Sequence, residues 1–378
     1  MNSKKLLISL VTASSLILSS VGNVFACTAL IVTDINGNAY HGRTLEFSFA
    51  FPTMMTYFPA GTKIESVTPT GAQGVTFNTK YSILAQTSAV VPGAKQPLVA
   101  EGTNDQGLSF SANEMNGQSA PPVGKDASKI LSVNDFGTWI LGNFKTVAEL
   151  KAAMLSDNTE FWLPVIQALG GVETPLHYAI FDKRGNGLVV EFINGKKNVY
   201  DNPANVLTNA PEFPWHLTNL NNYTFNNINK NTGQLGSLKL QTADAGIALT
   251  ALPSAQTATG RFVKAAFYAN YVRKGKTPDE SINLLAHIMN NFDRPHDLTI
   301  DPPGGVGDGP RGKTNSTEST QWTVMNDLSR NLSYIRSINA INWTVIDMNK
   351  LKNVTQIKSV SSYDVDKAGA DAFNLFYK

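Results

Sequence analysis

The chain has 378 residues, of which 42% are hydrophobic and 16% charged, so it can bury a large core and is not a low-complexity polypeptide. Its 31 basic and 29 acidic residues give a formal charge of +2, and two of the basic residues, Lys4 and Lys5, lie near the start. This near-neutral balance argues against a nucleic-acid-binding or membrane-surface protein. No repeat of fixed period is present, which argues against a solenoid or propeller.

The first segment, residues 1–26, predicts a secretory signal peptide. Lys4 and Lys5 supply the positive start, residues 6–18 are apolar, and residues 24–26 (VFA) place small residues at the positions that signal peptidases require. Cleavage after Ala26 leaves Cys27 as the first residue, so we expect an exported protein, periplasmic or secreted. The remainder, 27–378, is expected to form one domain without a membrane span.

Cys27 is the only cysteine in the chain. Exported proteins usually pair their cysteines in disulfides, and a single cysteine cannot form an internal one. Three interpretations are open: a spare thiol, the acylated cysteine of an exported lipoprotein, or an N-terminal nucleophile. Lipoprotein signals usually carry Leu three positions before the cysteine and a small residue two positions before it. Here these two positions hold Val24 and the bulky Phe25.

The predicted elements alternate along the chain. Strand-like runs separated by turn residues predict hairpins at 27–33 with 39–43 and at 178–181 with 188–192, and further strands at 321–325 and 343–346. Helical spacing predicts helices at 147–154 and 261–268, and Thr277 with Glu280 forms a capping box before a third. Hairpins mixed with helices favour an α+β layered sandwich over a doubly wound parallel sheet. The glycines at 304–309 lack the strand and helix that flank a phosphate-binding loop.

Seven collinear segments of the chain resemble the choloylglycine hydrolase family of bile salt hydrolases and penicillin V acylases. They are CTALIV (27–32), GRTLEF (42–47), EGTNDQGLSFSAN (101–113), LHYAIFDKRGNGLVVEF (176–192), VYDNPANVLTNAPEFPWHLTNLNNY (199–223), TATGRFVKAAF (257–267) and ESTQWTVMNDL (318–328). The resemblance implies an N-terminal-nucleophile hydrolase with a four-layer αββα fold. It also implies hydrolysis of a linear, non-peptide amide through a thioester, with no cofactor.

The resemblance gives roles to residues around Cys27. The free α-amino group, with an ordinary pKa of about 7.7–8.0, is the base, and the thiol, at about 8.5, is the nucleophile. Arg43 matches the arginine beside the sulfur, where a cation favours the thiolate. Glu46 stands where many members have Asp, which accepts a hydrogen bond from the amine.

The same resemblance assigns the oxyanion site. Asn209 matches an asparagine whose amide stabilises the tetrahedral intermediate, a task suited to a donor that carries no titrating charge. Asn113 is a tentative second position, where a backbone N–H would serve, although an ungapped match puts Glu114 there. Arg261 matches a second arginine near the site.

The histidines of the sequence do not indicate a metal site. No metal is expected, since the histidines show no ligand spacing and are interpreted as structural or surface residues: His41, His177, His216, His287 and His296. Candidate substrates are conjugated bile salts, penicillin V and acyl-homoserine lactones, and the aromatic-rich stretches 47–51 and 54–58 are either acyl-pocket or core residues. A homotetramer is expected by family analogy alone. The alternative function is an exported binding lipoprotein with the same fold and an acylated Cys27.

Overall fold

The computed structural model describes residues 26–47, 52–88, 94–156, 158–166, 171–223, 232–242, 245–296, 298, 318–369 and 373–377. The predicted signal peptide lies outside these residues apart from Ala26. Six helices are described: α1 (Phe136–Asn143), α2 (Val147–Leu155), α3 (Phe213–Asn219), α4 (Ala258–Tyr271), α5 (Pro278–Met289) and α6 (Ser362–Lys367).

The strands of the described residues are numbered in chain order. The first eleven are β1 (Ala26–Thr33), β2 (Ala39–Phe47), β3 (Met54–Phe58), β4 (Lys63–Val67), β5 (Gln73–Asn78), β6 (Ile83–Thr87), β7 (Val99–Asn104), β8 (Leu108–Glu114), β9 (Ile130–Ser132), β10 (Glu160–Trp162) and β11 (Val165–Ile166). The others are β12 (Val172–Glu173), β13 (Leu176–Asp182), β14 (Gly187–Ile193), β15 (Lys196–Asp201), β16 (Val206–Leu207), β17 (Thr232–Leu235), β18 (Leu238–Gln241), β19 (Ser319–Asp327), β20 (Leu332–Ser337), β21 (Thr344–Asp347) and β22 (Lys358–Ser361).

Two large antiparallel sheets carry the fold. The first has the order β16-β1-β2-β19-β20-β21, and the second has the order β15-β14-β13-β8-β7-β6-β3-β22. Short pairs form beside them: β4 with β5, β9 with β10, β11 with β12, and β17 with β18. Each large sheet therefore joins strands from both ends of the chain.

The layers follow from which face each helix covers. Helices α4 and α5 pack on β1, β2 and β19 of the first sheet, while α1 and α2 pack on the second sheet. Gly42 of β2 lies under α5, and a Cβ at this position would stand 2.7 Å from the Sδ of Met289, so a small residue lets helix and sheet approach closely. Helices, sheet, sheet, helices is the αββα arrangement, and the fold class is α+β as predicted.

The predicted local elements are present. The hairpin that begins at Cys27 is β1–β2, with Cys27 opposite Leu45, and the second predicted hairpin is β13–β14. Thr277 caps α5 by accepting a hydrogen bond from the backbone of Glu280. The stretch 54–58 is the mostly buried strand β3, while 48–51 and the glycines at 304–309 lie outside the described residues. Among the helices described, none is long and apolar enough to span a membrane.

Candidate active site

Cys27 lies in the second position of β1, in the layer between the two sheets. Side chains alternate along a strand, so Cys27 shares a face with Ala29 and the opposite face carries Thr28. The cysteine is 1% exposed and packs in a cluster of buried residues that includes Leu45 and Trp322. The preceding residue, Ala26, also belongs to β1 and is equally buried.

Arg43 approaches the sulfur from the inter-sheet side. It lies in β2 opposite Ala29, two residue pairs along from the Cys27–Leu45 pair, so its side chain is on the same face as Cys27. Its Nη2 donates to the Cys27 Sγ at 3.3 Å and to the carbonyl of Ala112 at 2.5 Å, while Nη1 donates to the carbonyl of Ala100 at 2.7 Å. Two carbonyls of the second sheet therefore fix the guanidinium beside the sulfur.

A flat aromatic surface completes the surroundings of Arg43. The Arg43 Cζ lies 5.2 Å from the centre of the Trp322 ring, within the range of a cation–π contact. Trp322 belongs to β19 and pairs with Leu45, which itself pairs with Cys27. The tryptophan was not singled out from the sequence, although it stands inside the ESTQWTVMNDL segment that carried the resemblance.

Arg261 approaches the same residue from the helical side. It lies in the first turn of α4, whose packing on β1 brings the guanidinium to the strand backbone. Its Nη1 donates to the carbonyl of Cys27 and, at 2.8 Å, to Thr28 Oγ1, and its Nε donates to the carbonyl of Gln256 at 2.9 Å. Burial lowers the pKa of Arg261 to about 10, partly offset by the nearby carboxylate of Glu46.

Asn209 joins the nitrogen of Cys27 to Arg261. Its Oδ1 accepts from the backbone N of Cys27 at 2.9 Å and from Arg261 Nη2 at 2.8 Å, and its Nδ2 donates to the carbonyl of Glu114 at 2.9 Å. These partners fix which end of the amide is oxygen and which is nitrogen. Because Nδ2 carries two hydrogens, one remains for a further acceptor.

Glu46 lies in the site but does not hold the nitrogen of Cys27. It stands opposite Ala26 in the β1–β2 pair, and its Oε1 accepts from Thr320 Oγ1 at 3.1 Å. Among the hydrogen bonds of the described residues, none joins Glu46 to Cys27. Burial raises the pKa of the Glu46 carboxyl, and the nearby Arg261 and Arg294 lower it in part. With Ala26 attached, Asn209 accepts the hydrogen bond from the Cys27 nitrogen. The resemblance had given this role to Glu46.

Asn113 supports the segment that carries Asn209. Its Nδ2 donates to the carbonyls of Leu207 and Thr208, at 3.1 and 2.8 Å. The side chain is therefore directed to this backbone and not to the sulfur. A role for the backbone N–H at 113 or 114 stays a prediction.

The charge balance around the thiol has two opposing parts. Burial is the larger influence and raises the pKa of the Cys27 thiol, while Arg43 lowers it through its charge and its hydrogen bond; Glu46 raises it and Arg261 lowers it. Burial therefore outweighs the arginine that was expected to favour the thiolate. No group of three His, Cys, Asp or Glu side chains in the described part of the chain is arranged to hold a metal ion.

Comparison with known proteins decides the family. Residues 27–360 match the family described as "Linear amide C-N hydrolases, choloylglycine hydrolase family". The chain belongs to the choloylglycine hydrolase family. It is accordingly a hydrolase of linear amide C–N bonds.

Family relatives match over most of their length. The chain is 29% identical to the bile salt hydrolase/transferase of Clostridium perfringens, over 86% of this chain and 93% of the relative. It is 24% identical to the penicillin V acylase of Pectobacterium atrosepticum, over 94% and 90%. A crystal structure of a variant conjugated bile acid hydrolase from Clostridium perfringens superposes with a TM-score of 0.71 at 25% identity, covering 89% of this chain and 97% of that one.

A penicillin V acylase shares the same fold. The structure of the enzyme from Agrobacterium tumefaciens superposes with a TM-score of 0.67 at 24% identity, over 89% of this chain and 92% of that one. These neighbours are N-terminal-nucleophile hydrolases, and the αββα arrangement of this choloylglycine hydrolase family member is theirs.

Proposed function

We propose that Cys27, freed at its amino end by removal of residues 1–26, is the nucleophile of an exported amidase. The observation that carries this proposal is the convergence of Arg43 on the sulfur and Asn209 on the nitrogen of one residue. Both functional atoms of Cys27 thus have a dedicated polar partner, although they are buried. The match to the family profile also begins at residue 27.

Two variant structures of one relative support the pairing of these groups. Conjugated bile acid hydrolase from Clostridium perfringens has been studied as a cysteine-to-alanine variant and as an arginine-to-leucine variant, and the two substituted positions are 16 residues apart. Cys27 and Arg43 have the same separation. The equal separation supports the proposal that the cysteine and the arginine act together in both proteins.

The proposed reaction needs only groups of this chain and water. The free amine of Cys27 takes the thiol proton, and the sulfur attacks the amide carbonyl to form a tetrahedral oxyanion. The remaining N–H of Asn209 Nδ2 is the proposed oxyanion donor. Collapse breaks the C–N bond, the ammonium returns the proton to the leaving amine, and water then hydrolyses the thioester to release the acid.

The substrate classes follow the relatives and remain part of the proposal. We expect a conjugated bile salt, penicillin V or an acyl-homoserine lactone as substrate, with no cofactor. By analogy with the family, we propose a homotetramer that works in the periplasm or outside the cell. The alternative is a binding lipoprotein acylated on Cys27. It is disfavoured because a binding protein has no need for Arg43 beside the sulfur or for Asn209 and Arg261 at the backbone of the same residue.

The decisive experiment combines N-terminal mass analysis with a substrate panel. Exported protein should begin at Cys27 with an unmodified thiol, and it should release amine from at least one of the three substrate classes. Cys27→Ala, produced and exported in the same way, should be folded and inactive. A lipid adduct on Cys27, or turnover by Cys27→Ala, contradicts the proposal.

A further inference from the structure

Two buried arginines donate hydrogen bonds to one carbonyl oxygen. Arg261 Nε donates to the carbonyl of Gln256 at 2.9 Å, and Arg294 Nη2 donates to the same oxygen. Arg261 is 1% exposed, and the side chain of Arg294 is 9% exposed. Two like charges that lie close together in a buried place repel each other and lose hydration, so their meeting is costly unless other groups offset it.

Two glutamates in the same cluster offset this cost. Arg294 Nη1 donates to Glu318 Oε2 at 2.5 Å, and the Glu318 side chain is 3% exposed. Burial lowers the pKa of Arg261 to about 10; the cation of Arg294 lowers it further, while the carboxylates of Glu46 and Glu318 raise it. The two guanidinium groups are therefore held together by acidic neighbours and by the carbonyl that they share.

The shared carbonyl belongs to the residue directly before the cap of α4. Thr257 is the cap, and the first hydrogen bond of the helix runs from the Arg261 N–H to the Thr257 carbonyl at 2.9 Å. The Gln256 carbonyl precedes this bond, so it is free of the helix and accepts from side chains. The Gln256 amide also donates to the carbonyl of Asn291 at 3.3 Å, after the end of α5. The position of Gln256 therefore sets where the Arg261 side chain turns.

The backbone of Arg294 makes a separate connection to the site. Its N–H donates to Thr320 Oγ1 at 2.9 Å, and the Thr320 N–H donates to the Arg294 carbonyl at 3.0 Å. Thr320 in turn donates to Glu46. Because these bonds use the backbone at position 294, a side-chain substitution there leaves them in place and reports the contacts with Gln256 and Glu318.

We propose that Arg294 is a positioning residue for the amidase reaction, which fixes Arg261 through the carbonyl of Gln256. Arg261 in turn orients Asn209 and holds the carbonyl of Cys27. Arg294 acts on these groups only through Arg261 and contacts no reacting atom. The catalytic part of this inference rests on the proposed function, whereas the coupling of the two arginines does not.

Arg294→Lys tests the contact at constant charge. The lysine ammonium keeps a partner for Glu318, so the variant should fold, but it cannot donate from two ends as a guanidinium does. We expect kcat to fall about 10-fold, because small displacements of catalytic groups are costly, with a smaller change in KM. Wild-type kcat in this variant would mean that the charge alone is sufficient, and it would overturn the inference.

Substitution of both arginines tests whether they act in series. Arg261→Lys alone should lower kcat about 10²-fold. If Arg294 acts through Arg261, the double variant should keep the kcat of Arg261→Lys, because the guanidinium that Arg294 positions is already absent. Independent effects would instead multiply to a loss of about 10³-fold and would contradict the inference.

Arg336→Lys is the matched control for Arg294→Lys. Both arginines line one cavity, and each has an acidic partner, which is Asp293 for Arg336. In the part of the chain that the structure describes, no hydrogen bond joins Arg336 to Gln256. Its kcat should stay at the wild-type value. A loss equal to that of Arg294→Lys would assign the effect to the cavity and not to the shared carbonyl, which would overturn the inference.

Unfolding measurements separate this inference from the proposed function. Chemical denaturation of wild type, both single variants and the double variant gives four free energies of unfolding. The loss in the double variant should be smaller than the sum of the two single losses, because the arginines share one acceptor. Additive losses would overturn the inference whether or not the enzyme is active. If wild type hydrolyses no amide although the losses are coupled, the proposed function fails, and the catalytic part of the inference fails with it.

Discussion

Arg261 Nη2 donates to Asn209 Oδ1 at 2.8 Å, and this bond ties the helical layer to the nitrogen of the proposed nucleophile. The same guanidinium reaches the carbonyl of Cys27 and the hydroxyl of Thr28. One planar group therefore aligns three atoms that belong to two separate parts of the chain. A point charge on a flexible stem cannot reproduce this pattern.

Arg261→Lys should consequently lower kcat on the order of 10²-fold, because Asn209 loses the partner that orients its amide. The measurement is steady-state turnover of the best substrate from the panel. Arg273→Lys, an exposed arginine beyond the end of α4, is the matched control and should behave as wild type. Wild-type kcat in Arg261→Lys would show that the amide is oriented without it.

Asn209→Ala should lower kcat by about 10²–10³-fold, the usual effect of losing one oxyanion donor, with a smaller effect on KM. Asn221→Ala is a suitable control, since Asn221 is exposed and, within the described part of the chain, its amide donates to the carbonyl of Thr218. A steep rise in KM at constant kcat would instead make Asn209 a substrate-binding residue.

The pH dependence of alkylation should report the environment of Cys27. Burial raises the thiol pKa, so in the chain with the Ala26–Cys27 bond intact, labelling by iodoacetamide should reach half its maximum above the pH of an ordinary thiol, about 8.5. Because Arg43 lowers this pKa, Arg43→Ala should move the midpoint to still higher pH, and Arg43→Lys should move it less. A downward shift in Arg43→Ala would contradict the assigned geometry.

A control accompanies this experiment. The chain has one cysteine, so each variant should take up one label per chain after denaturation. Loss of that stoichiometry would indicate oxidation of the thiol and not a change in its pKa. Arg43→Ala also leaves the carbonyls of Ala100 and Ala112 without their donor, so its thermal stability should fall more than that of Arg43→Lys.

Asp135 should make stability depend on pH. It lies just before α1, accepts from Gln96 Nε2 at 2.8 Å, and burial raises its pKa to about 6. A raised pKa means that the folded state binds the proton more tightly than the unfolded one. This contribution to stability is fully present below about pH 4 and is lost as the pH rises through about 6.

Asp135→Asn cannot ionise, so its advantage over wild type should grow between pH 4 and pH 7, by up to about 3 kcal/mol for two pKa units. Chemical denaturation at the two pH values measures the difference. Asp364→Asn, at an exposed ion pair with Lys367, should show no comparable change. An equal effect of Asp135→Asn at both pH values would contradict a raised pKa.

Local elements were accessible from the sequence because their signals are local. The β1–β2 and β13–β14 hairpins and the Thr277 cap depend on residues within a short stretch of chain, and each is present. The resemblance added the residues that meet at Cys27. Neither source could give the direction of a hydrogen bond, such as that from the Cys27 nitrogen to Asn209, which lies 182 positions away.

Residues that hold other residues were harder to recognise. His177 and His216 were interpreted as structural or surface histidines, and only their contacts with consecutive carbonyls reveal the segment that they support. Thr320 gave no sequence signal beyond its place in a matched segment, yet it binds Glu46. Such roles depend on which strands become neighbours. Strands β2 and β19 pair with each other although most of the sequence lies between them.

The burial of Ala26 has a consequence for the order of processing and folding. A protease binds its target as an extended, accessible backbone, but the Ala26–Cys27 bond lies at the start of β1, where both residues pair with β2 and are 1% exposed. The cleavage that we propose at this bond would therefore have to precede the pairing of β1 with β2. On that proposal, a chain that folded before translocation would conceal its cleavage point, and the timing of folding would decide whether an active molecule is made.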